Sequence, residues 1–187
     1  TKNERASRYM LTLIGCGLAL QFLSFGIHLA AFWAYPENRW FLPINNFFGA
    51  LSYMSFALAG AFFTIEVRRH LGILGAFVLP MAALSLGLAV ILANPELAAL
   101  EPKLRSYWLN IHPMILMTAY ATFTNAFGVA LALLIQERQI KSRKPSELCY
   151  RLPSLDELDG LVGRIVAFAL PVLVLGLAVG MVWSQHA

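Results

Sequence analysis

The stretch Ser106-Tyr-Trp-Leu-Asn-Ile-His-Pro-Met-Ile-Leu-Met-Thr-Ala-Tyr-Ala-Thr-Phe-Thr-Asn-Ala-Phe-Gly-Val-Ala-Leu-Ala-Leu-Leu-Ile-Gln136 runs for 31 residues without a charged side chain. A hydrocarbon core of roughly 30 Å is crossed by about 20 apolar residues of helix, so this segment is long enough to span a bilayer. Four more uncharged runs accompany it, at 9–36 (28 residues), 40–65 (26), 71–95 (25) and 165–187 (23), and each exceeds the same threshold. With 59% hydrophobic residues and a mean hydropathy of +0.67, the composition belongs to a chain solvated by lipid and excludes a soluble globular domain. A segment in lipid must satisfy its own backbone hydrogen bonds, which makes all five runs helices and rules out strands. The expectation is an all-α, polytopic transmembrane helix bundle: a single membrane domain, 1–187, with spans at about 9–36, 43–65, 71–94, 107–136 and 160–186.

The 14 basic residues outnumber the 10 acidic ones, but their placement speaks against nucleic acid. With the N-terminus in the cytoplasm, eleven of them fall on the inner side: Lys2, Arg5, Arg8, Arg68, Arg69, Arg138, Lys141, Arg143, Lys144, Arg151 and Arg164. Only Arg39, Lys103 and Arg105 fall outside. Positive charge is retained on the cytoplasmic side during insertion, so the asymmetry orients the chain N-terminus inside, with a cytoplasmic loop at 137–159 and the C-terminus outside. The same charges suit an anionic lipid surface. Cys16 and Cys149 are placed in a span and a cytoplasmic loop, and no disulfide is expected between them. Thr1 reads as the edge of a fragment.

The connections carry their own signals. Trp33, Tyr35 and Trp40 flank the first outer loop, and Tyr107 and Trp108 open the fourth span, as interfacial aromatic belts do. The turn Val67-Arg-Arg-His70 is so short that the second and third helices must be antiparallel neighbours. The second outer loop, 94–105, has two prolines and mixed charge and suits a short interfacial helix. Ser154 and Glu157 have the S-x-x-E spacing of a capping box, and Asp156 and Glu157 suit the positive end of a helix that runs into the fifth span. Pro80 and Pro171 lie within spans and are expected to kink them. Gly176-Leu-Ala-Val-Gly180 has the small-xxx-small spacing that lets two helix backbones approach within one chain.

Residues able to do chemistry within the membrane are few. His28 lies twenty residues beyond Arg8, about 30 Å of helix rise, and so near the outer face. His112 opens the fourth span and His186 ends the fifth, at the same level. Imidazole is a common axial ligand of haem iron, which makes His112 the leading cofactor-binding candidate and His28 a weaker one; each also reads as a hydrogen-bonded packing residue. Metal would enter only as haem iron on His112. Pro113 follows it and marks a helix entrance or kink. His70, beside Arg68 and Arg69, reads as a solvated interfacial side chain. No string of intramembrane acids is present, and Glu66 at an inner span end does not support an ion pump.

From Leu104 the residues become more specific. Leu104-Arg-Ser-Tyr-Trp-Leu-Asn-Ile-His112 with Tyr120-Ala-Thr-Phe123, then Tyr150-Arg-Leu-Pro-Ser-Leu-Asp-Glu-Leu-Asp-Gly160 with Arg164 and Pro171, then Gly180-Met-Val-Trp-Ser-Gln-His-Ala187, resemble the CcsA cytochrome c assembly family. Asn46-Phe-Phe-Gly-Ala-Leu51 and Gly75-Ala-Phe-Val-Leu-Pro80 fit it more loosely, so the resemblance covers 46–187. It implies a system II, WWD-type membrane protein that exports haem b and attaches it to apocytochrome c outside the membrane, with a CcsB-type partner, as a component of a holocytochrome c synthase. His112 carries over as an axial ligand of the outer haem. The family's partner histidine and its WWD tryptophans are expected beyond Ala187. Gly49-Ala50 stands where the family commonly has Glu-Ser, and Pro113 where it has Val. A different reading therefore stays open: a non-catalytic CcsA-like or HemX-like subunit that packs against and stabilises partner proteins. A third is a haem b membrane anchor ligated by His28 and His112. A bacterial cytoplasmic membrane and a thylakoid both fit this sequence.

Overall fold

The computed structural model describes residues 2–44, 46–69, 71–92, 107–142 and 147–184, with the side chains of 2–7, 107, 109, 148 and 183 left aside. Six α-helices follow in order: α1 Lys2–Phe32, α2 Phe47–Arg69, α3 Gly75–Leu92, α4 Tyr107–Lys141, α5 Glu147–Arg151 and α6 Leu155–Ser184. Among the described residues there is no strand, and five of the helices are long and apolar enough to cross a membrane. The protein is an all-α helix bundle built for lipid. The helices do not stop at the apolar limits: α2 continues through Glu66 to Arg69 and α4 through Glu137 to Lys141, because a helix carries on into the interface wherever nothing breaks it. Conversely, α1 ends at Phe32, four residues before Pro36 opens a 3₁₀ turn, Pro36–Asn38. Loop 94–105, His70 and His186 lie outside the described residues.

Lipid provides little hydrophobic drive for helices to associate, so small residues and interhelical hydrogen bonds decide which faces meet. Leu71 and a 3₁₀ turn, Gly72–Leu74, reverse the chain between α2 and α3, which pack as the expected antiparallel neighbours. Ser85 Oγ on α3 donates to Leu51 O on α2 at 2.9 Å. α2 and α4 run parallel. The Tyr53 and Thr118 hydroxyls pair across them at 2.9 Å, and the fully buried Asn125 donates from Nδ2 to Leu58 O at 3.3 Å. Gly128 lets α4 approach α3, since a Cβ there would lie 2.9 Å from Val78 Cγ2. α1 packs along α2, where Gln21 Nε2 donates to Ser52 O at 3.3 Å. The most extensive pairing joins α4 to α6 as an antiparallel hairpin: Val129 and Ala132 pack with Leu158, Leu161 and Ile165 at one end, and His112 meets Gly176 at the other.

At the start of α6, Ser154 Oγ accepts the Glu157 backbone N–H at 3.2 Å, one half of the capping box. A cap satisfies one of the helix's orphan amides, so Ser154→Ala is expected to cost about 1 kcal/mol. Thermal unfolding in detergent should register that small loss while accumulation in the membrane is unchanged. Abolished accumulation would show that Ser154 does more than cap.

Candidate functional site

His112 sits in the second turn of α4, held against α6. Its Nδ1 lies 2.9 Å from the carbonyl oxygen of Gly176. A carbonyl only accepts, so Nδ1 carries the proton and the neutral ring keeps its lone pair on Nε2. The imidazole lies over Gly180, where a Cβ would meet it, 2.8 Å from Nδ1 and 3.2 Å from Nε2. One turn earlier, a Cβ on Gly176 would lie 2.7 Å from Leu116 Cδ2 and 3.1 Å from Ile115 Cγ2. The small-xxx-small pair thus packs helices within one chain, as expected, and also makes room for the ring. That second use was hidden in the sequence, because the histidine lies 64 residues away from its carbonyl partner.

Pro113 is interior to α4, which begins at Tyr107. It is therefore not a helix entrance. Lacking an N–H, it releases the carbonyl four residues back from its helical donor, the kink-type role of an interior proline. Pro80 and Pro171 are likewise inside α3 and α6.

The end of α4 that bears His112 is pinned to the connection between α1 and α2. Asn110 is nearly buried; its Oδ1 accepts from Leu42 N–H at 3.0 Å and its Nδ2 donates to Trp40 O at 3.2 Å. Trp33 Nε1 donates to Phe41 O at 2.8 Å, and the Trp33 and Trp40 rings lie 6.3 Å apart. Trp40 has φ of 73°, a left-handed backbone that a bulky residue adopts only when its surroundings impose it. Asn110 holds the backbone at and just after that residue, through Trp40 O and Leu42 N–H. Sequence reading assigned Asn110 no role; a lone amide beside an aromatic belt was the only available signal.

His28 is at the same end of the bundle but faces another helix. Its ring lies 5.4 Å from Phe48 at the start of α2, and its Nε2 is buried without a hydrogen-bond partner. The structure thus seats the two imidazoles against different helices, His112 on α6 and His28 on α2. Among the described residues no group of three or more His, Cys, Asp or Glu gathers to hold a bare metal ion. A single imidazole with a fixed tautomer fits axial ligation of a prosthetic group, since a second hydrogen bond from the distal ring nitrogen is what orients a ligating histidine.

Comparison with known proteins connects this geometry to a family. The cytochrome c assembly protein family matches residues 44–187, a segment that includes His112, Gly176 and Gly180 and excludes α1 with His28. The chain belongs to the cytochrome c assembly protein family. It is 27% identical over 190 residues to protein HemX of Brevibacillus brevis, covering 98% of this chain and 65% of that protein. It is 24% identical to the cytochrome c biogenesis protein CcsA of Guillardia theta, over 80% of this chain and 57% of the relative. With CcsA of Thermosynechococcus vestitus the identity is 27%, over 95% of this chain and 67% of the relative. The chain thus spans roughly three-fifths to two-thirds of the length of these relatives. No solved structure matches.

Proposed function

We propose that this family member acts in cytochrome c biogenesis as a haem-handling membrane protein, with His112 as an axial ligand. The observation that carries the reading is the Nδ1–H···O=C bond from His112 to Gly176, which leaves Nε2 as the only ring nitrogen with a lone pair to give. Haem b, when bound there, supplies the group to be delivered to the CxxCH motif of apocytochrome c. The residues of this chain bind and orient: Gly176 fixes the tautomer, Gly180 accommodates the ring, and Asn110 anchors the first turn of α4 to the loop beside it. A CcsB-type membrane protein is the proposed partner, and a bacterial cytoplasmic membrane or a thylakoid the proposed location. A second reading, a HemX-like subunit that stabilises partner proteins, is supported by the similarity to HemX over 98% of this chain. The unpartnered Nε2 of His28 supports a further weak ligand position on α1.

The proposed orientation, N-terminus inside and 137–159 cytoplasmic, rests on the eleven-to-three distribution of basic residues. It puts His112 on the outer face. A periplasmic or lumenal reporter fused after Glu101 should be active, and one fused after Lys144 silent. The reverse pattern would turn the bundle over and put His112 on the cytoplasmic side. The haem reading itself is tested by the optical spectrum of the protein purified from its own membrane, where a haem band is expected. A preparation without haem, from cells that mature cytochrome c normally, would leave the stabilising-subunit reading in its place.

A further inference from the structure

Between α1 and the first half of α3 lies an apolar groove of about 550 Å³, walled by Met10 on one side and by Gly72, Ala76, Leu79, Pro80 and Ala83 on the other. Ala76, Pro80 and Ala83 are exposed, so the groove opens laterally, where the surroundings of this bundle are lipid. An apolar channel at membrane depth is filled by something apolar, since water there would find almost no polar partner.

One end of the groove is marked by charge. Arg8 precedes Met10 by two residues on α1, and Arg68 and Arg69 close α2 just before Gly72. All three side chains are exposed, and among the described residues the ion pairs are made elsewhere, by Lys141 with Glu137 and Arg151 with Glu147. Exposed arginines that lie within a few residues of the lining, with no ion pair among the described residues, complement a molecule with an anionic head and an apolar tail at a carbon-lined groove. Guanidinium forks match phosphate oxygens in geometry as well as in sign. Glu66, fully buried on α2, stands behind Gly72, where a Cβ would lie 3.3 Å from its Oε1.

We propose that this groove binds an anionic glycerophospholipid, one acyl chain lying along α3 from Gly72 to Ala83 and the phosphate held by Arg8, Arg68 and Arg69. The test titrates the purified full chain in detergent with phosphatidylglycerol, with phosphatidylcholine of the same chains, and with free glycerol phosphate, and reads retained ligand by native mass spectrometry. Phosphatidylglycerol is expected to be retained, with phosphatidylcholine weaker by roughly tenfold or more, as two or three interfacial arginines imply. Glycerol phosphate should not displace it, because the chain is part of the ligand. Arg68→Gln with Arg69→Gln should erase the preference for the anionic lipid. Ala83→Leu and Ala76→Leu, exposed positions that accept a larger side chain without disturbing the helix, should reduce retention of phosphatidylglycerol while the helical circular dichroism is unchanged. Equal retention of both lipids would overturn the proposal by removing the head-group site. Unchanged retention in both leucine variants would overturn it by placing the lipid elsewhere, and leave the groove to a partner helix.

Discussion

Replacing His112 with glycine is expected to abolish haem binding and cytochrome c maturation while the protein still accumulates, and exogenous imidazole is expected to restore both. The side chain does two separable things. It donates from Nδ1 to Gly176 O, a bond worth about 0.5–1.5 kcal/mol net, and in the proposed role it offers Nε2 to iron. Losing the first weakens the α4–α6 hairpin slightly; losing the second removes the cofactor. Free imidazole refills a vacated coordination position over Gly180, but it does not re-tie two helices covalently, so rescue distinguishes ligation from packing. Gly180→Ala is the companion: its methyl group would lie 2.8 Å from Nδ1 and push the ring off α6 with the histidine still present. That variant should lose the haem band and resist imidazole, because the added carbon occupies the space. If His112→Gly retains haem and full maturation, the ligand assignment is wrong.

Gly49→Ala is expected to destabilise the protein by about 3 kcal/mol or more and to reduce its accumulation in the membrane. A Cβ at Gly49 would overlap the carbonyl oxygen of Pro43 and lie 2.9 Å from Ile44 Cα, and both are backbone atoms. The loop cannot lift away cheaply. Asn46 Oδ1 accepts the Gly49 N–H at 2.7 Å, Leu42 N–H is bonded to Asn110, and Ile44 is buried. Gly60 on the same helix has nothing within 4 Å of its would-be Cβ, so Gly60→Ala should be neutral or stabilising by up to about 1 kcal/mol from helix propensity alone. Thermal unfolding of the two variants in detergent makes the comparison, and equal melting temperatures would refute the close approach. The same geometry leaves no room for any side chain at this position. A glutamate does not fit under this particular loop.

The sequence by itself determined the membrane-spanning class, the number of spanning helices, the antiparallel pairing of α2 with α3 and the cap at Ser154. Those follow from local quantities: the spacing of charges along the chain, the length of an apolar run against bilayer thickness, the shortness of a turn. Family resemblance from Leu104 onward pointed to His112 and to cytochrome c assembly, and the family match over 44–187 bears out the second. Helix ends were less legible, because charged residues such as Glu66 and Arg138 mark the edge of the hydrocarbon but do not stop a helix. Pro113 reads locally as a helix entrance or a kink, and the start of α4 at Tyr107, the limit expected for that span, leaves only the interior, kink-type position. Only the tertiary structure decided that His112 turns to Gly176 rather than to α2, that Asn110 holds Trp40 in a left-handed backbone, and that His28 faces Phe48. Each of these joins residues far apart in the chain, or on opposite sides of one helix. In lipid the choice among such faces rests on close approach at glycine and on a handful of hydrogen bonds, and neither is written in the apolar pattern that announces the helices.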